Sequence, residues 1–221
     1  MPGHIGIVAK SGTLSYETVG SLTRAGLGQS LCIAVGGDVF AGTNFVDALK
    51  VFEQDEDTEA IILVGELGGT SEEEAAEWIK DYRKRVKNPK PIAAVIGGFQ
   101  ASPGRVMGHA GAWTGLGEGT AESKYKALER AGVTMVDHPA KFGGVMKGIL
   151  ADSGRSIKKT VSTSPVDVVY ILIKVSNTQA PTLSNGAHTI HHLDQLSHAY
   201  LVHLSSKHDL STSQEIKPQT F

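Results

Sequence analysis

The sequence predicts an α/β protein built on an open, doubly wound parallel sheet. Three observations predict it. Five short apolar runs between His4 and Val136 are continuous rather than alternating and rich in Val and Ile, the pattern of parallel strands covered on both faces. Segments with helical spacing lie between them, giving about five strand–helix units. The ends of four runs are glycine-bounded: Ser11-Gly-Thr, Gly36-Gly-Asp, Gly65-Glu-Leu-Gly-Gly and Gly97-Gly. On an open α/β sheet those carboxyl ends are where ligands sit.

The elements follow in order. His4–Ala9 reads as the first strand and Thr13–Ala25 as the first helix, stopped by Gly26. Leu31–Val35 is the second strand; Asn44–Gln54 is the second helix, with Phe45, Ala48, Leu49 and Phe52 at helical spacing. Ala60–Val64 precedes a helix over Ser71–Val86, opened by a capping box from Ser71 to Glu74. The acidic Glu72-Glu73-Glu74 at its start and the basic Arg83-Lys84-Arg85-Val-Lys87 at its end suit the helix dipole and read as solvated surface. Ile92–Ile96 is the fourth strand. Thr120–Ala131 is a helix with Gly132 as the residue after its cap, followed by a strand over Val133–Val136 and a helix over Pro139–Leu150.

Composition removes several function classes. The chain of 221 residues is 40% hydrophobic and 20% charged, with a formal net charge of −2. That is the composition of a folded soluble protein, without the basic footprint that nucleic acid or an anionic membrane calls for. The single cysteine, Cys32, lies in an apolar run, so no disulfide framework forms and a reducing compartment is expected. Met1-Pro-Gly-His enters a strand directly, with no signal or transit peptide and no 18-residue apolar span. Composition changes abruptly near residue 160: one of 26 glycines and seven of 44 charged side chains follow it, with six of nine histidines. The expected division is a domain over 1–155 and a poorly structured, largely disordered extension over 156–221.

Three constellations carry chemistry. Ser11, Gly12 and Thr13 stand between a strand and a helix, where first-turn N–H groups and hydroxyls make an anion site; a pure N-cap would need no ligand. No Gly-Lys-Ser or Gly-Lys-Thr follows, so this is not a Walker A loop. Tyr16, one turn on, faces either the site or the core. Glu66 follows a buried strand among glycines, where a carboxylate can bond one imidazole nitrogen, fix its tautomer and leave the other nucleophilic; capping or a turn is the plain alternative. His109 sits in Arg105-Val-Met-Gly-His-Ala-Gly-Ala112, where small residues leave the imidazole open to accept a proton or a phosphoryl group. Neighbouring strand ends bring these groups to one edge, which describes a phosphorylated histidine oriented by Glu66 with its phosphate at a helix N-terminus. No Ser or Cys nucleophile stands beside a base, and one His with one Glu gives too few ligands for a metal. The histidines of the extension, at 188, 191, 192, 198, 203 and 208, lack the spacing of a helical ligand face, so no metal site is expected there.

The segments Gly6-Ile-Val-Ala-Lys-Ser11-Gly-Thr-Leu-Ser-Tyr16-Glu, Gly28-Gln-Ser30 with Gly36-Gly-Asp38, Gly65-Glu-Leu-Gly-Gly69 and Met107-Gly-His-Ala-Gly-Ala112 resemble the alpha subunit of succinate–CoA ligase. The likeness runs from about residue 3 to residue 150 and covers the ligase half of that subunit. It implies a flavodoxin-like fold and a reversible reaction of the tricarboxylic acid cycle, succinate, CoA and a nucleoside triphosphate giving succinyl-CoA, the diphosphate and phosphate. It implies that His109 takes phosphate from an acyl phosphate and passes it to a nucleoside diphosphate, that Glu66 orients it, and that Ser11, Gly12 and Thr13 begin the helix holding the phosphohistidine. Tyr16 matches a position of the substrate site shared with the beta subunit. CoA, nucleotide and Mg²⁺ enter as substrates of the full complex, nucleotide and Mg²⁺ through an ATP-grasp beta subunit, with no tightly bound cofactor in this chain. The resemblance places the chain's start after the family's CoA-binding Rossmann domain. The basic Asp81–Lys90 connection is longer than in bacterial members and points to a mitochondrial relative. ATP-citrate lyase and related ligases share the histidine loop, so a citrate– or malate–CoA ligase is an alternative, as is a fragment that docks a beta subunit without turnover.

Overall fold

The computed structural model describes residues 1–115, 119–155 and, for the backbone alone, 170–172. Five strands and five helices alternate as the sequence predicts: β1 (Pro2–Ala9), α1 (Gly12–Arg24), β2 (Gln29–Ala34), α2 (Phe45–Gln54), β3 (Ala60–Glu66), α3 (Ser71–Arg85), β4 (Ile92–Gly97), α4 (Ala121–Arg130), β5 (Thr134–Met135) and α5 (Phe142–Asp152), the last entered through a 3₁₀ turn at Pro139–Lys141. A further strand, β6 (Tyr170–Leu172), falls inside the extension expected to be poorly structured and pairs with β2. The remaining expectations for residues 156–221, including their histidines, lie outside the described residues.

Every pairing is parallel and the sheet order is β5-β4-β3-β1-β2-β6. Without β6 this is the flavodoxin-like order, whose topological switch point lies between β1 and β3. The strands are unbroken apolar runs because each is covered twice. In β3, Ile61 and Leu63 join Phe45, Phe52, Ala75, Ala76, Ile79 and Leu128 of α2, α3 and α4 on one face. Ile62 and Val64 join Leu22, Phe142, Met146 and Leu150 of α1 and α5 on the other. Full burial of one such side chain is worth about 1.5–3 kcal/mol, so these two layers hold the strand ends, and the site built on them, in place. β5 is shorter than its apolar run: Val133 and Val136 are buried at either side of a two-residue ladder.

The helix ends also follow local chemistry. Ser11, Asn44 and Thr120 cap α1, α2 and α4 through their side chains, Asn44 in a reciprocal box with Asp47. After α4, Gly132 takes φ +82° while Gly132 N–H and Val133 N–H bond Glu129 O and Leu128 O, the Schellman pattern. The box expected at Ser71 is not formed. The cap of α3 is Thr70, which makes no side-chain cap bond, and its hydroxyl instead donates to the Glu74 carboxylate at 2.7 Å.

Cys32 is 3% exposed in β2, and burial pushes its thiol up to about 11. A thiol reagent at pH 8 is therefore expected to spare the native chain and modify it only after denaturation. Equal rates in the two states would put Cys32 outside the core.

Candidate functional site

The carboxyl edge of the sheet gathers the chemistry. Glu66 is the last residue of β3, paired with Gly97 of β4, and its side chain is 13% exposed. His109, in the loop after β4, turns Nδ1 toward that carboxylate, 2.7 Å from Oε2 and 3.0 Å from Oε1. An ionised carboxylate only accepts, so Nδ1 carries the proton and donates. Nε2 is then left with its lone pair on a ring that is 36% exposed. This is the geometry of an oriented nucleophile.

The other side of the imidazole rests on the turn after β2. A Cβ at Gly37 would lie 2.1 Å from His109 Cγ and 2.3 Å from Nδ1, so the ring occupies space that a side chain would fill. Gly111 N–H donates to Gly37 O at 2.8 Å and fastens the histidine loop to that turn. His109 thus touches the ends of β2 and β3. In the sheet, β1 lies between those two strands, and α1 begins just past its end.

At that helix start Ser11 is the N-cap, its Oγ accepting Leu14 N–H at 3.2 Å. The plain reading of Ser11 as a cap is therefore realised. Gly12 and Thr13, both exposed, carry first-turn N–H groups that have no intrahelical acceptor. Tyr16 is 65% exposed rather than in the core. Val39 and Phe40 in the loop after β2, and Phe99, Val106, Met107 and Trp113 in the loop after β4, are exposed as well, Phe40 at 89%.

Sequence reading passes over three groups that support the site. Glu72, assigned there to solvated surface, is fully buried. Its carboxylate accepts Glu66 N–H at 3.1 Å and the ammonium groups of Lys10 and Lys124 at 2.9 and 2.5 Å. Lys124 is also fully buried. Helical spacing carries the missing signal: Glu72 shares one stripe of α3 with Ala75, Ala76 and Ile79, and Lys124 shares one of α4 with Ala121 and Leu128. Lys10 gives no comparable sign. Among the described residues no cluster of three or more His, Cys, Asp or Glu is placed to hold a metal, and no helix is long and apolar enough to cross a membrane.

The chain is similar to known proteins. The alpha-2 subunit of mitochondrial ADP-forming succinate–CoA ligase from Trichomonas vaginalis is 55% identical over 141 residues, 64% of this chain and 45% of that protein. The alpha subunit of the ADP-forming enzyme from Staphylococcus aureus is 47% identical over 152 residues, 69% of this chain and 49% of that protein. The chain spans about half the length of the curated relatives it matches. Among solved structures, ATP citrate lyase from Methanothrix soehngenii in complex with citrate and coenzyme A is similar with a TM-score of 0.64 and 27% identity, over 75% of this chain and 27% of that one. The family model described as CoA-ligase matches residues 8–134, more than half of the chain and all of the strand ends that form the site, and the chain belongs to that family.

Proposed function

We propose that residues 1–155 are the phosphohistidine-bearing ligase domain of a succinate–CoA ligase alpha subunit. The observation that carries this reading is the contact of both Glu66 oxygens with His109 Nδ1 beside the switch point of the sheet. In the direction of triphosphate synthesis, inorganic phosphate displaces CoA from succinyl-CoA to give succinyl phosphate. His109 Nε2 then attacks the phosphorus, the bond to the acyl oxygen breaks, and succinate leaves with the electron pair. The imidazole becomes cationic as the P–N bond forms, and Glu66, holding the Nδ1 proton, offsets that charge. The N–H groups of Gly12 and Thr13 and the dipole of α1 receive the phosphoryl oxygens. A terminal oxygen of a nucleoside diphosphate then attacks the same phosphorus, the P–N bond breaks, and neutral His109 returns.

The partner in this reading is a beta subunit that brings nucleotide and Mg²⁺, seated on the exposed apolar side chains of the loops after β2 and β4. Exposed apolar side chains in two loops joined by the Gly111–Gly37 bond suit such an interface, and in this reading Tyr16 stands where substrate and partner meet. A place in the tricarboxylic acid cycle follows from the succinate relatives, and a mitochondrial location is supported by the relative from Trichomonas vaginalis. A citrate–CoA ligase activity is the second reading, favoured by the likeness to ATP citrate lyase; the higher identity to the succinate enzymes supports the first.

The test is phosphotransfer. The chain is mixed with a beta subunit of this family, Mg²⁺ and γ-labelled ATP or GTP, and assayed for acid-labile label. Label on the wild type that is absent from His109→Ala is expected. An unlabelled chain in a demonstrated complex with the beta subunit would overturn the reading.

A further inference from the structure

One buried carboxylate joins the separate pieces of the site. Glu72 lies in the first turn of α3 and is 0% exposed. Its Oε1 accepts from Glu66 N–H at 3.1 Å and from Lys10 Nζ at 2.9 Å; its Oε2 accepts from Lys124 Nζ at 2.5 Å. Lys10 immediately precedes the Ser11 cap of α1, and Glu66 is the residue that holds His109. Lys124 uses its other bonds on Gly69 O at 2.9 Å and Glu73 Oε2 at 3.0 Å, so two ammonium groups face two carboxylates. Gly65 provides the space: a Cβ there would stand 2.8 Å from Glu72 Cγ and 3.0 Å from its Oε1.

A buried ion network carries a desolvation penalty that an apolar core of the same shape avoids, so stability is a poor account of it. What it supplies is direction. The β1–β3 ladder pairs Ala9 with Val64 and continues to Lys10 N–H on Val64 O at 3.1 Å; past its end the carboxylate adds a bond from Glu66 N–H and one from the side chain of Lys10, and so ties down the separation of Glu66 from the approach to α1. That separation is the distance between the anion-binding helix start and the carboxylate that aims the histidine.

We propose that Glu72 is a positioning residue of the phosphoryl-transfer site. Anchored by Lys10 and Lys124, it fixes the Glu66 backbone against the start of α1, and through Glu66 it sets the tautomer and aim of His109. The proposal rests on the phosphohistidine reading for its purpose but can be tested apart from it.

The test uses the full chain labelled with ¹⁵N-histidine, the His109 signals being those lost in His109→Ala. In the wild type the neutral ring is expected as one tautomer, protonated at Nδ1. Glu72→Gln keeps the shape and removes the charge; its His109 signals are expected to move toward the average of two exchanging tautomers. Chemical phosphorylation by phosphoramidate is expected to slow on the order of tenfold, as when the outer partners of an oriented histidine are removed. Should Glu72→Gln not fold, Lys10→Met, which frees one side of Glu72 and keeps the Lys124 pair, is read in its place with the same two changes expected. A folded variant that melts earlier yet keeps the wild-type tautomer and labelling rate would reduce Glu72 to a structural residue and overturn the proposal. A wild-type chain that phosphoramidate does not label would instead strike the phosphohistidine reading, and the tautomer comparison would decide the role of Glu72 by itself.

Discussion

Gly37→Ala is expected to remove phosphorylation of the chain almost as completely as His109→Ala while leaving the fold standing. The added methyl would lie 2.1 Å from Cγ, 2.3 Å from Nδ1 and 2.4 Å from Cβ of the imidazole, well inside van der Waals contact. Gly37 is not among the glycines at positive φ, so alanine meets no backbone strain there. The ring, 36% exposed, is the part that can give way, and in doing so it leaves Glu66. Misplacement of a reacting group by about 1 Å costs on the order of 100-fold in rate, and loss of the Nδ1 contact adds to it. The expected thermal stability stays within about 1 kcal/mol of the wild type, as for other partly exposed positions. Melting curves and acid-labile label measured on the same preparation check both halves. Undiminished label would mean that the whole loop shifts with the ring and keeps its bond to Glu66.

The largest expected effect on stability is at Lys124. Lys124→Met keeps an unbranched chain of similar length but leaves Glu72 Oε2 without the ammonium now 2.5 Å away. Removing one member of a fully buried pair costs about 3–5 kcal/mol. Lys10 still holds the other oxygen, which places the expected loss near the lower end, about 3 kcal/mol. For a domain of this size that corresponds to roughly 6–12 °C in melting temperature. Urea denaturation of Lys124→Met, Glu72→Gln and the double variant forms a cycle, and the double loss is expected to fall short of the sum of the single losses. A loss under about 1 kcal/mol in Lys124→Met would show that water reaches the carboxylate.

Strand order and site location depend on different parts of the sequence. Runs such as Ala60–Val64 announce a strand because both faces are buried and no polar residue interrupts them. Glu66 and His109 stand out because each is a charged or titratable side chain hemmed by glycines. Gly37 belongs to a visible motif, but nothing local says that its missing side chain makes room for a ring 72 positions away. Glu72 illustrates the opposite failure. Three consecutive acidic residues at a helix start satisfy the dipole so well that their surface assignment masks the apolar stripe on which the first of them lies. The Ser71 box failed for a smaller reason: α3 is capped one residue earlier, and Thr70 rather than Ser71 meets Glu74.

The imidazole of His109 is gripped by Gly37 and Glu66, which come from the second and third strand–helix units, while His109 follows the fourth strand. No shorter stretch of chain contains the pocket, and no local nucleation can make it. Closing those long loops is the slow, entropically costly part of reaching a parallel sheet. Under the phosphohistidine proposal, capacity to carry phosphate is expected only once four strands have docked in register, and a nascent or misfolded polypeptide is expected to lack a competent acceptor. Acid-labile label on this chain would therefore count native molecules as well as active ones, a folding sensor written into the chemistry.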